Sequence, residues 1–211
     1  MEWFAQIDAY CERLDPSFWA EPVNAATNAA FVIAALVVWA RVSLPASKLL
    51  CVILGAIGVG SFLFHTFATA WAALADVAPI GLFILVYLFL VNRDIVGLRG
   101  WIAVGATALF IPYAALIVPV FNALPFFHIS TFYWTVPLLL VAYGLVFRIL
   151  PFFVGAGVLA ISIALRSFDM AWCDALPIGT HFAWHCLNGL MLGFMITVYD
   201  ARALAGRGPR G

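Results

Sequence analysis

Five polar residues stand where an apolar chain has most reason to exclude them, because each polar group taken into hydrocarbon must be offset by a partner. In "GSFLFHTFATAWAALAD" (60–76), Ser61 and His65 are four residues apart and Asp76 follows; in "GTHFAWHCLNG" (179–189), His181 and His185 repeat the spacing. On a helix, positions i and i+4 stack on one face, so His181 and His185 present two imidazoles together and Ser61 lies one turn from His65. H-x-x-x-H on a helix grips a transition metal, but the zinc-protease version places a glutamate beside the first histidine as general base. Here residues 182 to 184 are Phe182, Ala183 and Trp184. A third ligand and a base must come from elsewhere, and His65 and Asp76 are the candidates.

Three neutral histidines on Zn²⁺ leave an open position where water has a pKa near roughly 7. Asp76 would then be a general base or an orienting group, and Ser61 a donor to the water or to an oxyanion. The blander readings are a histidine hydrogen-bonded between helices and a serine bonded to its own i−4 carbonyl. The glycines of "GAIGVGS" (55–61) read as close-packing positions rather than a phosphate loop, and His128 in "NALPFFHIS" as structural.

The chain that positions these groups is 66% hydrophobic and 9% charged over 211 residues, against about 25% charged in soluble domains. It reads as an all-α integral membrane protein. Zero net charge and no basic cluster argue against a nucleic-acid partner. Residues 1–23 carry Glu2, Asp8, Glu12, Asp15 and Glu21 and lack the basic and apolar parts of a cleaved signal peptide, so an acidic arm is expected on the mature protein. Seven apolar runs follow at 24–42, 49–68, 73–92, 101–120, 131–147, 150–165 and 181–199, each near the length of a span. They predict one seven-helix bundle over 24–199, followed by a short basic tail at 200–211.

Cytoplasmic loops carry the positive excess. Arg41, Lys48, Arg93, Arg99, Arg148, Arg202, Arg207 and Arg210 fall on one side, and only Arg13 and Arg166 on the other, together with most of the acids. The expected orientation is N-terminus outside, C-terminus cytoplasmic. His65, Asp76, His181 and His185 then converge about one turn from the outer boundary, with Ser61 a turn deeper.

The stretches "YCERLDPSFWAEPVNAATN" (10–28), "GSFLFHTFATAWAALAD" and "GTHFAWHCLNG" together resemble the alkaline ceramidase family, within the larger superfamily of seven-span hydrolases that includes the progestin and adipoQ receptors. The resemblance covers the first, second, third and seventh spans. It implies an intramembrane zinc on His65, His181 and His185, with Asp76 and Ser61 as catalytic groups. It also implies an amidase acting on ceramide or a related N-acyl lipid, releasing fatty acid and a sphingoid-type amine. A receptor or lipid-binding protein with structural zinc, or an ester-cleaving lipid hydrolase, would share those ligands. Animal members hold a calcium ion near the zinc, and Glu12 and Glu21 match part of that region. Two residues are missing between these acids, however, Leu14 stands where an asparagine is expected, and an aspartate is displaced to Asp8. Asp8, Glu12, Asp15 and Glu21 offer the oxygens a Ca²⁺ wants, or form a solvated acidic arm. Cys51 and Cys186 lie within spans, whereas Cys11 and Cys173 fall on the outer, oxidising side, and a Cys11–Cys173 disulfide is expected. Small size, short loops and the lack of eukaryotic sorting signals point to a bacterial inner membrane, with the active site near the periplasmic face.

Overall fold

A computed structural model describes residues 2–206. The described chain is helical, with only an isolated bridge between Gln6 and Thr69 outside helices and turns. Seven helices are long and apolar enough to cross a membrane: α1 (Pro22–Trp39), α2 (Pro45–Phe67), α3 (Ala70–Ile95), α4 (Gly100–Asn122), α5 (Phe127–Val146), α6 (Leu150–Phe168) and α7 (His181–Ala205). All seven fall on the expected runs. The largest difference is at the end of α7, which continues to Ala205, so Arg202 is helical rather than part of a tail; Arg207 and Arg210 lie outside the described residues.

Chain punctuation follows the chemistry of the termini. Pro22, Pro45 and Pro151 occupy first turns of α1, α2 and α6, where a missing N–H costs no helical bond. Gly97 and Gly179 take positive φ values of 82° and 64° in the connections after α3 and before α7, a region open mainly to glycine. Among the helices, α2 and α7 are the most enclosed and α4 the least, with 61%, 56% and 17% of their apolar windows buried. The three histidines are therefore carried on the two most enclosed helices.

Close helix approach is made at glycines. A Cβ on Gly60 would lie 2.0 Å from the Ala75 carbonyl oxygen, and one on Gly189 would lie 3.0 Å from the Ala30 backbone. The first contact presses α2 against α3 beside Ser61 and Asp76; the second presses α7 against α1 one turn from His185. The close-packing reading of "GAIGVGS" holds for Gly58 as well, whose Cβ would meet the Phe31 side chain at 3.0 Å.

The N-terminal arm is not a solvated tail. Backbone bonds from Ile7 to Ala68 (2.7 Å), Ala70 to Ala5 (3.1 Å) and Trp71 to Trp3 (3.1 Å) lay it across the α2–α3 turn. The disulfide between Cys11 and Cys173 forms, tying the arm to the loop before α7.

Candidate metal centre

His65 comes from the last turn of α2, and His181 and His185 from the first turns of α7; all three are buried. Each offers one nitrogen, and the three nitrogens lie within 4.8 Å of one another. Hydrogen-bond partners settle two of the tautomers. His65 Nδ1 is 2.6 Å from Glu21 Oε2, a carboxylate that can only accept, so Nδ1 carries the proton and Nε2 is a free lone pair. His185 Nδ1 is 2.9 Å from Thr27 Oγ1, whose own proton goes to the Val23 carbonyl at 2.8 Å, so this Nδ1 also donates. The remaining nitrogens, His65 Nε2 and His185 Nε2, are buried and meet no protein partner, as is His181 Nδ1. Orphaned buried polar atoms are costly, and three imidazole lone pairs facing one another are the donor set that zinc and similar borderline metals take. These residues fit the metal. The blander reading, three histidines each satisfied between helices, leaves these nitrogens unaccounted for.

Groups behind the histidines hold them. Arg13 is buried and donates from Nε to Glu21 Oε1 at 2.6 Å and from a terminal nitrogen to the His65 carbonyl at 3.1 Å. Burial alone would raise the Glu21 carboxyl, but the bonds and charges of His65 and Arg13 outweigh it and hold it below the usual carboxylate range. At the start of α7, Asp169 Oδ1 accepts from the backbone N–H groups of Thr180 (2.6 Å) and His181 (2.8 Å), and Oδ2 accepts from Cys11 N (2.9 Å). A carboxylate brought from the end of α6 thus satisfies the helix N-terminus that carries His181. Gly179 is what lets it in, because a Cβ there would lie 2.1 Å from Asp169 Oδ1. Asp169→Asn keeps the shape and removes the charge, and charge-assisted bonds are roughly twice as strong as neutral ones. The expected loss is about 1–2 kcal/mol, read as a lowered unfolding temperature in detergent with the disulfide intact.

Asp76, half-buried in the first turns of α3, accepts a hydrogen bond from Ser61 and is charge-coupled to His65 and Arg166. Tyr10 of the arm stacks on His181, with ring centroids 3.7 Å apart and planes at 19°, and covers the site from the arm side. Beside the site lies an apolar cavity whose wall includes Ile57, Ile80, Tyr133, Trp184 and Phe31, the last packed 6.1 Å from the His185 ring. It shares Ile84, Val136, Met191 and Leu192 with a second apolar cavity further down the bundle.

The structure thus brings together all five of Ser61, His65, Asp76, His181 and His185. It does not bring together the four arm acids. Among the described residues the histidines are the one group of three or more metal-ligating side chains. Glu12 accepts from the Val23 and Asn24 N–H groups at 2.7 and 2.8 Å, capping α1. Glu21 is taken by Arg13 and His65, and Asp15 is held below the ordinary carboxylate value by Ser17, first through its side chain and then through its backbone N–H, which donates at 2.7 Å. Asp8 is exposed beside Asp15 and Arg13 in a cleft of the arm. His128 pairs with the nearby Pro125 carbonyl, in keeping with a structural role. Sequence reasoning passed over Arg13, Thr27, Asp169 and Tyr10; for Arg13 the signal was its place among the acids, on the side where arginines are scarce.

Fold and site together define a seven-helix, membrane-type bundle with a buried three-histidine centre at the end that holds the arm. No protein-family model matches the chain, and no curated protein matches it.

Proposed function

We propose that the protein is a zinc-dependent intramembrane amidase that hydrolyses the N-acyl amide of ceramide or a related lipid. The observation that carries this reading is the set of three partnerless imidazole nitrogens beside the Ser61–Asp76 pair, at the head of an apolar cavity. His65, His181 and His185 would hold the ion. Zinc, when bound, supplies Lewis acidity, bringing a water pKa towards neutrality and polarising a carbonyl. The chain's own groups do the rest. The Asp76 carboxylate accepts a proton from the attacking water and returns it to the amide nitrogen as the C–N bond breaks, leaving a fatty acid and an amine. The Ser61 hydroxyl aims that carboxylate, and Tyr10 keeps bulk water off His181. The apolar cavity walled by Trp184 and Tyr133 would take the start of the acyl chain.

Membrane orientation is part of the same proposal: arm and site outside, C-terminus cytoplasmic, in a bacterial inner membrane. The arginine distribution supports it. Calcium is not part of the reading, because Arg13 supplies the positive charge at Glu21.

The test is fatty-acid release from ceramide by purified protein, with and without chelator, beside His181→Ala and Asp76→Ala. Turnover is expected in the untreated protein alone. Turnover that survives both substitutions would remove the mechanism, and protein purified without chelator that carries less than about half an equivalent of zinc would remove the metal. An ester analogue run in parallel separates amide from ester preference.

A further inference from the structure

Asn188 of α7 is buried, with 4% of its surface exposed, and among the described residues no group hydrogen-bonds its side chain. The carbonyl one turn back along the helix, on Trp184, accepts from Ser162 Oγ at 3.3 Å instead. A buried amide is costly unless its two donors and its acceptor are used. An apolar residue of the same size would fill the position without that penalty.

Its position indicates what the amide would meet. His181, His185 and Asn188 stand at i, i+4 and i+7, on one face of α7. At a rise of 1.5 Å per residue, Asn188 lies about 4.5 Å further along the helix than His185, the length of a few carbon–carbon bonds. It lines the apolar cavity beside the histidines, whose wall also holds Phe31, the ring packed near His185. The other lining residues are aliphatic or aromatic, with a thioether at Met191. A single amide therefore interrupts an apolar wall one turn past the histidines. The ligand that complements it is a hydrocarbon chain with one hydroxyl near its carbonyl end. Such a hydroxyl both donates and accepts, as the amide does, and the rest of the chain meets apolar side chains.

We propose that Asn188 hydrogen-bonds a hydroxyl on about the third carbon of the acyl chain, so that N-(3-hydroxyacyl) lipids are the preferred substrates. That the chain is an acyl group undergoing cleavage rests on the amidase reading; recognition of a hydroxyl at this depth does not. Asn188 is then a specificity residue, touching the chain rather than the reacting bond. A site that offers a buried polar group to a substrate hydroxyl disfavours the analogue lacking it, because the group is left unpaired.

The experiment compares three ceramides of one sphingoid base, acylated with hexadecanoic, 3-hydroxyhexadecanoic or 12-hydroxyhexadecanoic acid. Binding is measured on purified full-length Asp76→Ala, which on the amidase reading holds substrate without cleaving it, with and without Asn188→Leu. Turnover is measured as kcat/KM with Asp76 intact. The 3-hydroxyacyl lipid is expected to bind about tenfold more tightly than the other two, the effect of one hydrogen bond, and kcat/KM to follow. Asn188→Leu is expected to erase the difference while its unfolding temperature stays at or above that of the parent, since an unused amide gives way to an apolar side chain. Equal binding of the three lipids with Asn188 intact overturns the proposal. So does a 12-hydroxy chain favoured as much as the 3-hydroxy chain, or a preference that survives Asn188→Leu. A preference that depends on Asn188 in a protein without ceramide turnover would sink the amidase reading and leave this site standing. Turnover without the preference would do the reverse.

Discussion

Glu21→Gln is expected to lower metal affinity by about 10- to 100-fold and to destabilise the protein by roughly 3–5 kcal/mol. Both effects have one cause. Glu21 Oε2 fixes the proton of His65 on Nδ1, and Oε1 neutralises Arg13, with both partners almost wholly buried. A glutamine has one acceptor oxygen for these two donors and turns an N–H₂ group towards the other. His65 then loses the bond that orients its free Nε2, and Arg13 becomes a buried cation without its anion. Removing one partner of a buried pair is the costly case, whereas removing both is often close to neutral. Arg13→Met with Glu21→Gln should therefore recover much of the lost stability without restoring metal affinity, because the His65 anchor stays missing. Metal titration and thermal unfolding of wild type and the two variants check this. Single-variant affinity and unfolding temperature equal to wild type would show that Glu21 neither orients His65 nor balances Arg13.

The histidine spacing, the seven spans and the pairing of Cys11 with Cys173 were legible because each is a local pattern or a count. Apolar length marks a span, and i,i+4 marks a helix face. What surrounds the histidines is not local. Arg13 meets His65 across 52 residues, and Asp169 meets Cys11 across 158. No periodicity encodes such pairings. The arm misled for the same reason: four acids in one short stretch suggest either a cation site or solvation, and the structure instead sends Glu12 to a helix start and Glu21 to two buried cationic or donor groups. One signal was present and went unused. Only Arg13 and Arg166 depart from the arginine bias, and both stand beside the histidine centre, one donating to the His65 carbonyl and the other to the hydroxyl of Tyr10, whose ring stacks on His181. An arginine that breaks a charge rule is doing something other than setting topology.

Gly60→Ala is expected to cost about 100-fold in ceramide turnover while leaving metal content unchanged. The added Cβ would lie 2.0 Å from the Ala75 carbonyl oxygen and 2.7 Å from its carbon, both backbone atoms that no rotamer change can move. Helices α2 and α3 must separate there by roughly 1 Å or more to restore ordinary contact. Ser61 adjoins Gly60 and Asp76 adjoins Ala75, so the displacement falls on the Ser61–Asp76 contact by which the proposed mechanism aims its base. A misplacement of about 1 Å is enough to lose two orders of magnitude in rate, and overpacking of this kind costs typically 1–3 kcal/mol in stability. The histidines are spared, because the His65 ring packs on His185 of α7 at 4.7 Å between centroids and its anchor Glu21 lies in the arm. Gly55→Ala is the matched control on the same helix: its Cβ would meet only the Ala35 side chain, at 4.0 Å, and wild-type turnover is expected. Zinc content, unfolding temperature and turnover measured on both variants separate the two outcomes. Full turnover in Gly60→Ala would mean that the Ser61–Asp76 distance does not limit the reaction. Loss of zinc together with turnover would mean that the α2–α3 contact supports the metal centre itself.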